Sequence, residues 1–351
     1  MKRSAFFFNH PKQIISGGHK YNEALLNCLE AHHDVDTVAM PRCAEMYPSW
    51  RKAYAPLAEL KWMRMVKRHD LVFMDDSCFR YHLLLLLVLR ILRRGTPIVI
   101  IHHFPYLNDR GLTRIVNFVW QYLYYALCRF LIVPSPYTLD VARKLYPGKR
   151  IFYIPIPFEN RFESSDDDVE GRLLFVGTVE RRKGLHYLIR ALADVKRWVP
   201  SVHLDIVGKI VDNSYYRKLV DDITRHQLQT VVSFRGRVSD EALDEIYRKA
   251  EVFVFPSLLE GYGMVMIEAM SHGLPVVAFD NSAMPYTIQH GVNGLLAENR
   301  DAEALAGCIR EIVGNRELRQ KLQQGMRTTV GSLKTQSDFE KAVSKMIQNL
   351  K

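Results

Sequence analysis

The stretch Pro256–Glu268 (PSLLEGYGMVMIE) sets two carboxylates, Glu260 and Glu268, around two glycines, Gly261 and Gly263. A carboxylate accepts hydrogen bonds from two vicinal hydroxyls, so such a pair suits a polyol. Each charge-assisted bond contributes about 1.5–3 kcal/mol. The glycines remove side chains that would keep a phosphate or sugar from the backbone. A strand precedes them, ending at Phe255, and a helix follows from near Gly263 to Ser271. That order gathers the N–H groups of Gly261 to Val265 at a helix N-terminus, where the macrodipole favours a diphosphate. Glu268 lies inside the apolar run Met264–Met270, where a lone charge is costly, so it requires a specific partner.

Three further groups could act with these. FVGTVERRKG (175–184) runs from a strand through Gly177 into the basic cluster Arg181, Arg182 and Lys183, cations suited to a diphosphate. Gly17-Gly18-His19-Lys20 opens a helix to Glu30, and a glycine pair at a helix start admits an anion or a hydroxyl. No GxGxxG is present there, which weakens a dehydrogenase reading. His102 and His103 close the apolar run Pro97–Ile101, at the strand end where open α/β sheets place their ligands.

The elements that must position these groups follow an α/β pattern. Ser4–Asn9, Leu71–Met74, Pro97–His102, Phe130–Pro134 and Ile151–Ile156 read as short buried strands separated by helix-period segments. The pattern repeats at Arg172–Val176, His203–Val207, Val231–Phe234, Val252–Phe255, Pro275–Ala278 and Gly294–Leu296. Alternation of this kind gives parallel sheets with helices on both faces. The polar, acidic segment 158–171 reads as a linker, with the boundary near residue 165. Gln336–Leu350 carries apolar residues at spacings of three and four, an amphipathic helix packed on the body.

Glu260 and Glu268, seven residues apart within PSLLEGYGMVMIEAMSHGLPVVA, resemble the donor signature of glycosyltransferase family 4. The similarity extends over Phe175–Leu192, Leu204–Lys209, Phe234–Ser257 and His290–Leu296, most of the second half. The resemblance implies a GT-B fold, two Rossmann-like parallel-sheet domains facing a central cleft. Residues 1–165 would bind the acceptor and 166–334 the nucleotide sugar, with 335–351 returning as a helix to the N-terminal domain. It implies a retaining glycosyltransferase of hexosyl type that uses a UDP- or GDP-linked sugar and needs no metal or other cofactor. Glu268 would hold the ribose, Glu260 would lie by the donor sugar, and backbone groups of Gly261, Tyr262, Gly263 and Met264 would take sugar and diphosphate oxygens. Gly177 and Gly208 fall within the same donor region, and Gly236, Arg237 and Val238 match the loop that receives the nucleobase. Lys183 matches the lysine that neutralises the diphosphate. Relatives place an arginine where this chain has Thr178, which leaves Arg181 or Arg182 as the second cation. Glu260, His102 and Lys183 form the implied catalytic set, and Gly17, Gly18, His19 and His103 the acceptor side.

Composition bounds the rest. The chain has 351 residues, 48% hydrophobic and 25% charged, enough for two cores. Cys28, Cys43, Cys78, Cys128 and Cys308 are scattered and odd in number, which argues against a disulfide framework and fits a cytoplasmic compartment. His82–Leu92 falls short of the roughly 20 residues of a membrane span. Up to Ser165 there are 23 Lys/Arg against 13 Asp/Glu, so the net charge of +10 sits in the first half. Lys61, Arg64, Lys67 and Arg68 fall at helical spacing beside Trp62, a face that could lie peripherally on an anionic inner membrane surface. A glycan or lipid-linked acceptor of polysaccharide or cell-envelope synthesis would follow. No nucleic-acid motif accompanies the charge. Two rivals remain on this evidence, a non-catalytic nucleotide-sugar-binding or partner protein and a sugar-nucleotide epimerase or phosphorylase on the same fold.

Overall fold

Continuous apolar runs such as LVFM, FLIV, LLFV and VFVF can be buried on both faces only at the centre of a parallel sheet, and two such sheets are present. The computed structural model describes residues 3–8, 17–39, 68–76, 83–92, 95–109, 111–159, 161–163 and 168–350. By internal contacts the chain divides into two compact units, Met1–Phe158 with Lys334–Lys351, and Glu159–Leu333.

In the first unit the elements run β1 (Arg3–Phe8), α1 (Gly17–Glu30), β2 (Asp34–Ala39), β3 (Leu71–Asp75), α2 (Leu83–Leu92), β4 (Thr96–Ile100), α3 (Gly111–Leu127), β5 (Phe130–Val133), α4 (Pro136–Leu145) and β6 (Arg150–Tyr153). The parallel sheet is ordered β2-β1-β3-β4-β5-β6. Strand β2 is absent from the sequence-based reading. It is an edge strand whose Asp34, Asp36 and Thr37 are exposed, so it lacks the apolar run that marks its neighbours. Strand β4 ends at Ile100 rather than His102, which leaves both histidines in the loop beyond it.

The second unit runs β7 (Arg172–Val176), α5 (Leu185–Trp198), β8 (His203–Val207), α6 (Asn213–Arg225), β9 (Val232–Gly236), α7 (Asp240–Lys249), β10 (Val252–Phe255), α8 (Met264–Ser271), β11 (Val276–Phe279), α9 (Met284–Thr287), β12 (Gly294–Ala297), α10 (Ala302–Ile312) and α11 (Arg316–Gly331). Its sheet order is β12-β11-β10-β7-β8-β9. Side chains of Asp212, Ser239, Asp301 and Asn315 cap α6, α7, α10 and α11. No side chain caps α5 or α8, which start instead on Gly184 and Gly263, both left-handed.

The last helix, α12 (Gln336–Asn349), belongs to the first unit, and a Thr335/Asp338 capping box starts it. Its buried face is Phe339, Val343 and Met346. Phe339 packs edge-on against Tyr21 at 5.7 Å, and Tyr21 donates from its hydroxyl to the Ile154 carbonyl at 3.0 Å. Helix α12 thereby supports the residue against which His102 packs. Truncating Phe339 to alanine is expected to cost about 3–5 kcal/mol, read by chemical denaturation.

Candidate functional site

In each sheet the strand order reverses at one point, and there the loops leaving the strands at their carboxyl ends diverge and open a crevice. In the second unit that point lies between β7 and β10, because the chain builds β7-β8-β9 to one side and then returns to the other. The loop after β7 carries Arg181, Arg182 and Lys183, and the loop after β10 carries Glu260. The sheet therefore brings together residues nearly 80 positions apart.

The two loops are joined by charge. Glu260 Oε1 accepts from Lys183 Nζ at 2.6 Å, from Arg182 at 3.0 Å and from Ser257 Oγ at 2.6 Å. The Glu260 main-chain N–H donates to Ser282 Oγ at 3.0 Å. Arg182 also reaches Glu180 at 2.8 Å and the Leu259 carbonyl at 2.9 Å, and the Lys183 ammonium lies 5.0 Å from the centre of the Phe255 ring. Burial alone would raise the Glu260 pKa, but Lys183 and Arg182 outweigh it and hold the carboxyl down at about 2. Burial lowers Lys183 while Glu260 works the other way, and Arg182 is raised by its two glutamates against its own burial. Removing one partner of such a cluster leaves a buried uncompensated charge, at a cost of about 3–5 kcal/mol.

Backbone geometry permits the approach. Gly184 has φ +70°, and a Cβ there would lie 1.9 Å from the Pro256 carbonyl oxygen. The Leu258 N–H donates to the Arg182 carbonyl at 2.8 Å across the same gap. A Cβ on Gly208 would lie 2.0 Å from the Gly177 carbonyl oxygen, and the Gly208 N–H donates to Gly236 at 2.8 Å. Gly177, Gly208 and Gly236 thus line one edge of the sheet, with exposed Arg237 and half-buried Val238 beyond. Gly261 and Gly263 are buried and Tyr262 half-buried, just before Met264 opens the uncapped α8.

Arg182, not Arg181, is the arginine that joins Glu260; Arg181 is exposed beside it. Burial, Arg181 and Arg190 together push His186 down to about 4, so this edge presents positive charge from Arg181 while its imidazole stays neutral. Glu268 is half-buried in the second turn of α8 and does have the partner its apolar surroundings demand: the Tyr247 hydroxyl donates to Oε2 at 3.4 Å. The Glu268 carbonyl accepts from His272 Nδ1 at 2.7 Å, and the His272 ring stacks on Tyr247. Among the described residues no hydrogen bond or ion pair joins Glu268 to the Lys183–Glu260 cluster.

In the first unit the order reverses between β1 and β3. Helix α1 follows β1, Asp75 ends β3 and Asp76 comes directly after it. The Asn22 amide donates to Asp75 Oδ2, which turns the amide oxygen toward His102, and His102 Nε2–H donates to that oxygen at 3.0 Å. Asp75 Oδ2 lies 3.5 Å from the same nitrogen. Asp76 Oδ2 accepts from the main-chain N–H of His102 at 3.1 Å and of His103 at 3.4 Å. A Cβ on Gly18 would touch the His102 ring at 3.5 Å, so the start of α1 lies against it. Gly17, Gly18 and His19 form the first turn of α1, all half-buried.

Burial opposes the charged form of His102, yet Asp75 and then Asp76 raise its pKa overall. Asp76 is pushed up to about 7 by burial and by Asp75, against the opposing pull of His102 and the two amides. Asn22, Asp75, Asp76, Ser257, Ser282 and Glu180 are the site residues the sequence reading missed. Two adjacent acids at the end of an apolar strand were the available signal for Asp75 and Asp76. The serines carry no such signal. Of the basic face proposed at Lys61, Trp62, Arg64, Lys67 and Arg68, all but the exposed Arg68 lie outside the described residues.

Residues 158–329 match the family model described as Glycosyl transferases group 1. Mannosylfructose-phosphate synthase of Agrobacterium fabrum is 31% identical over 204 residues, 53% of this chain and 45% of its own length. The match thus spans less than half of that relative. In three dimensions the chain is similar to sucrose-phosphate synthase from Thermosynechococcus elongatus (TM-score 0.80, 22% identity), covering 100% of this chain and 99% of that one. It is also similar to HepE of Anabaena in complex with UDP and glucose (TM-score 0.75, 19% identity), with 99% and 100% covered. At these identities the likeness shows the fold, which is GT-B: two parallel six-stranded sheets with flanking helices. The sequence matches support a glycosyltransferase family for the second unit.

The raised Asp76 makes stability depend on pH in a defined sense. The folded chain keeps this proton up to about pH 7, whereas the unfolded chain releases it near pH 4. Between those values the folded state binds more protons, so stability falls as pH rises through the window. The raised His102 acts in the same sense. Asp76→Asn keeps an acceptor for the two amides and is expected to shrink the loss of stability between pH 5 and pH 8, by an amount on the order of a few kcal/mol. Urea unfolding at the two pH values measures it, and an unchanged pH dependence would sink the assignment.

Proposed function

We propose that the protein is a glycosyltransferase of hexosyl type that moves a sugar from a UDP- or GDP-linked donor to an acceptor hydroxyl. One observation carries this reading: the Lys183–Arg182–Glu260 cluster stands at the β7/β10 reversal, beside the uncapped starts of α5 and α8. Within the cluster, Arg182 and Lys183 offset Glu180 and Glu260 charge for charge, so an arriving diphosphate competes with Glu260 for the same cations. As Lys183 and Arg182 turn to the phosphates, the Glu260 carboxylate is released to accept from sugar hydroxyls. The cations then stand where charge develops on the departing diphosphate, which is the larger part of such catalysis. They supply this stabilisation without a metal ion.

The remaining roles follow the same chemistry. Glu268, held by Tyr247, takes the ribose hydroxyls, and the backbone around Gly177, Gly208 and Gly236–Val238 receives the base. His102, with its Nε2 proton fixed by Asn22 and its ring braced by Gly18 and Tyr21, takes the role that the family resemblance gives a histidine near the donor sugar, and Gly17, Gly18, His19 and His103 take the acceptor role that it gives them. Transfer retains the anomeric configuration, a reading supported by the family resemblance. The acceptor belongs to polysaccharide, glycolipid or other cell-envelope glycan synthesis, and the reaction takes place in the cytoplasm at the inner membrane face. Among the described residues no helix is long and apolar enough to cross a membrane.

Thermal melts with UDP, GDP and their sugar conjugates test the donor half, because a ligand that binds only the folded state raises the melting temperature by mass action. One nucleotide class is expected to raise it, with both Glu268→Ala and Lys183→Ala diminishing the shift. The same nucleotide sugar should be turned over in the presence of a chelator, with the anomeric configuration of the product read by NMR. No shift with any nucleotide would overturn the reading.

A further inference from the structure

Helix α8 is only eight residues long, too short to be stable by itself, and it starts on left-handed Gly263 without a side-chain cap. Whatever fixes Glu268 upon it must come from outside the helix. Two side chains do so. His272, directly after the helix, turns its ring back onto the last turn. Its Nδ1–H donates to the Glu268 carbonyl at 2.7 Å, shorter than the 3.3 Å bond from its own main-chain N–H, and its Nε2 lies 2.8 Å from Asp244 Oδ1 on α7. A carbonyl only accepts, so Nδ1 carries the hydrogen. Tyr247, also on α7, is buried and stacks on the His272 ring with centroids 4.7 Å apart. Its hydroxyl donates to Glu268 Oε2 at 3.4 Å.

One ring therefore holds the main chain of Glu268 and the other holds its carboxylate, and the two rings brace each other. Asp244, which faces the His272 ring, is itself paired with Arg248 one turn further along α7. Burial and the Glu268 charge raise the Tyr247 pKa well above its usual value, so the hydroxyl keeps its proton and remains a donor. An ionised carboxylate offers about four acceptor positions, and Tyr247 takes one of them, which leaves the rest for a ligand. A glutamate held in one orientation before the ligand arrives gives up less side-chain freedom when two vicinal hydroxyls bind to it. A tyrosine that merely satisfied a half-buried charge would affect folding alone, whereas one that aims the carboxylate affects which ligand is chosen.

We propose that Tyr247 and His272 are positioning residues that hold Glu268 ready for a vicinal diol and so give the site a preference for a ribonucleotide over its 2′-deoxy form. The inference rests on the reading of Glu268 as the ribose carboxylate. Calorimetric titration of the full chain with UDP, GDP and their 2′-deoxy counterparts tests it. The wild-type chain is expected to bind one ribonucleotide more tightly than its 2′-deoxy form. Tyr247→Phe keeps the ring stacked on His272 and should weaken the ribonucleotide about two- to tenfold while leaving the 2′-deoxy form unchanged. His272→Ala should lower the preference, and His272→Asn, whose amide can still donate to the Glu268 carbonyl, should restore it. In a Glu268→Ala background, Tyr247→Phe should have no further effect on the preference, because it acts through that carboxylate. An unchanged preference in Tyr247→Phe, an equal loss for both nucleotide forms, or an effect that adds to that of Glu268→Ala overturns this inference alone. Binding of neither UDP nor GDP, or equal binding of the two forms by the wild-type chain, overturns it together with the reading on which it rests.

Discussion

Glu260 is a carboxylate taken out of water, and a buried charge survives only where opposite charge and hydrogen bonds replace the lost solvent. Lys183, Arg182 and Ser257 supply that replacement, and in doing so they fix the two loops against each other. The close approach this requires leaves room for no side chain at Gly184, whose Cβ would run into the Pro256 carbonyl. The same glycine starts α5 without a side-chain cap. The electrostatic need of one residue thus shapes the backbone around it and leaves amide donors and cations in one place.

The first unit meets a related problem with different groups. Asp75 and Asp76 are buried side by side, and two adjacent carboxylates cannot both ionise cheaply. Asp76 responds with a raised pKa and with two main-chain donors, Asp75 with the Asn22 amide and the nearby imidazole. The outcome is a histidine whose Nε2 proton is assigned by its neighbours and whose ring is pinned by Tyr21 and Gly18. The chain reaches back from its far end to hold this arrangement, through Phe339 of α12 against Tyr21. Helix α3 shows the cost of such polar interiors. Its amide side chains turn inward to Asp109, Tyr106 and Tyr125, and its aliphatic side chains are left to the outside.

Much of the architecture was legible in the sequence, because a strand buried on both faces must be apolar along its length. That constraint marks β3, β5, β7, β10 and β11 without any knowledge of their partners. It fails at β2, an edge strand whose polar residues meet solvent. The spacing of Glu260 and Glu268, the glycines between them and the basic turn at 181–183 were likewise visible along the chain, since residue type and local spacing need no knowledge of the fold.

Only the tertiary structure decided which groups meet. Strand order places the loop after β7 beside the loop after β10, so Arg182 rather than Arg181 joins Lys183 on Glu260, and two serines of ordinary appearance complete the cluster. Asn22, Asp75 and Asp76 become the surroundings of His102 for the same reason: the order reversal puts α1 and β3 side by side. The outward face of α3 was hidden in a helical periodicity that reads identically whichever side is buried. Periodicity states that a helix has two faces, and only packing determines which of them meets the core.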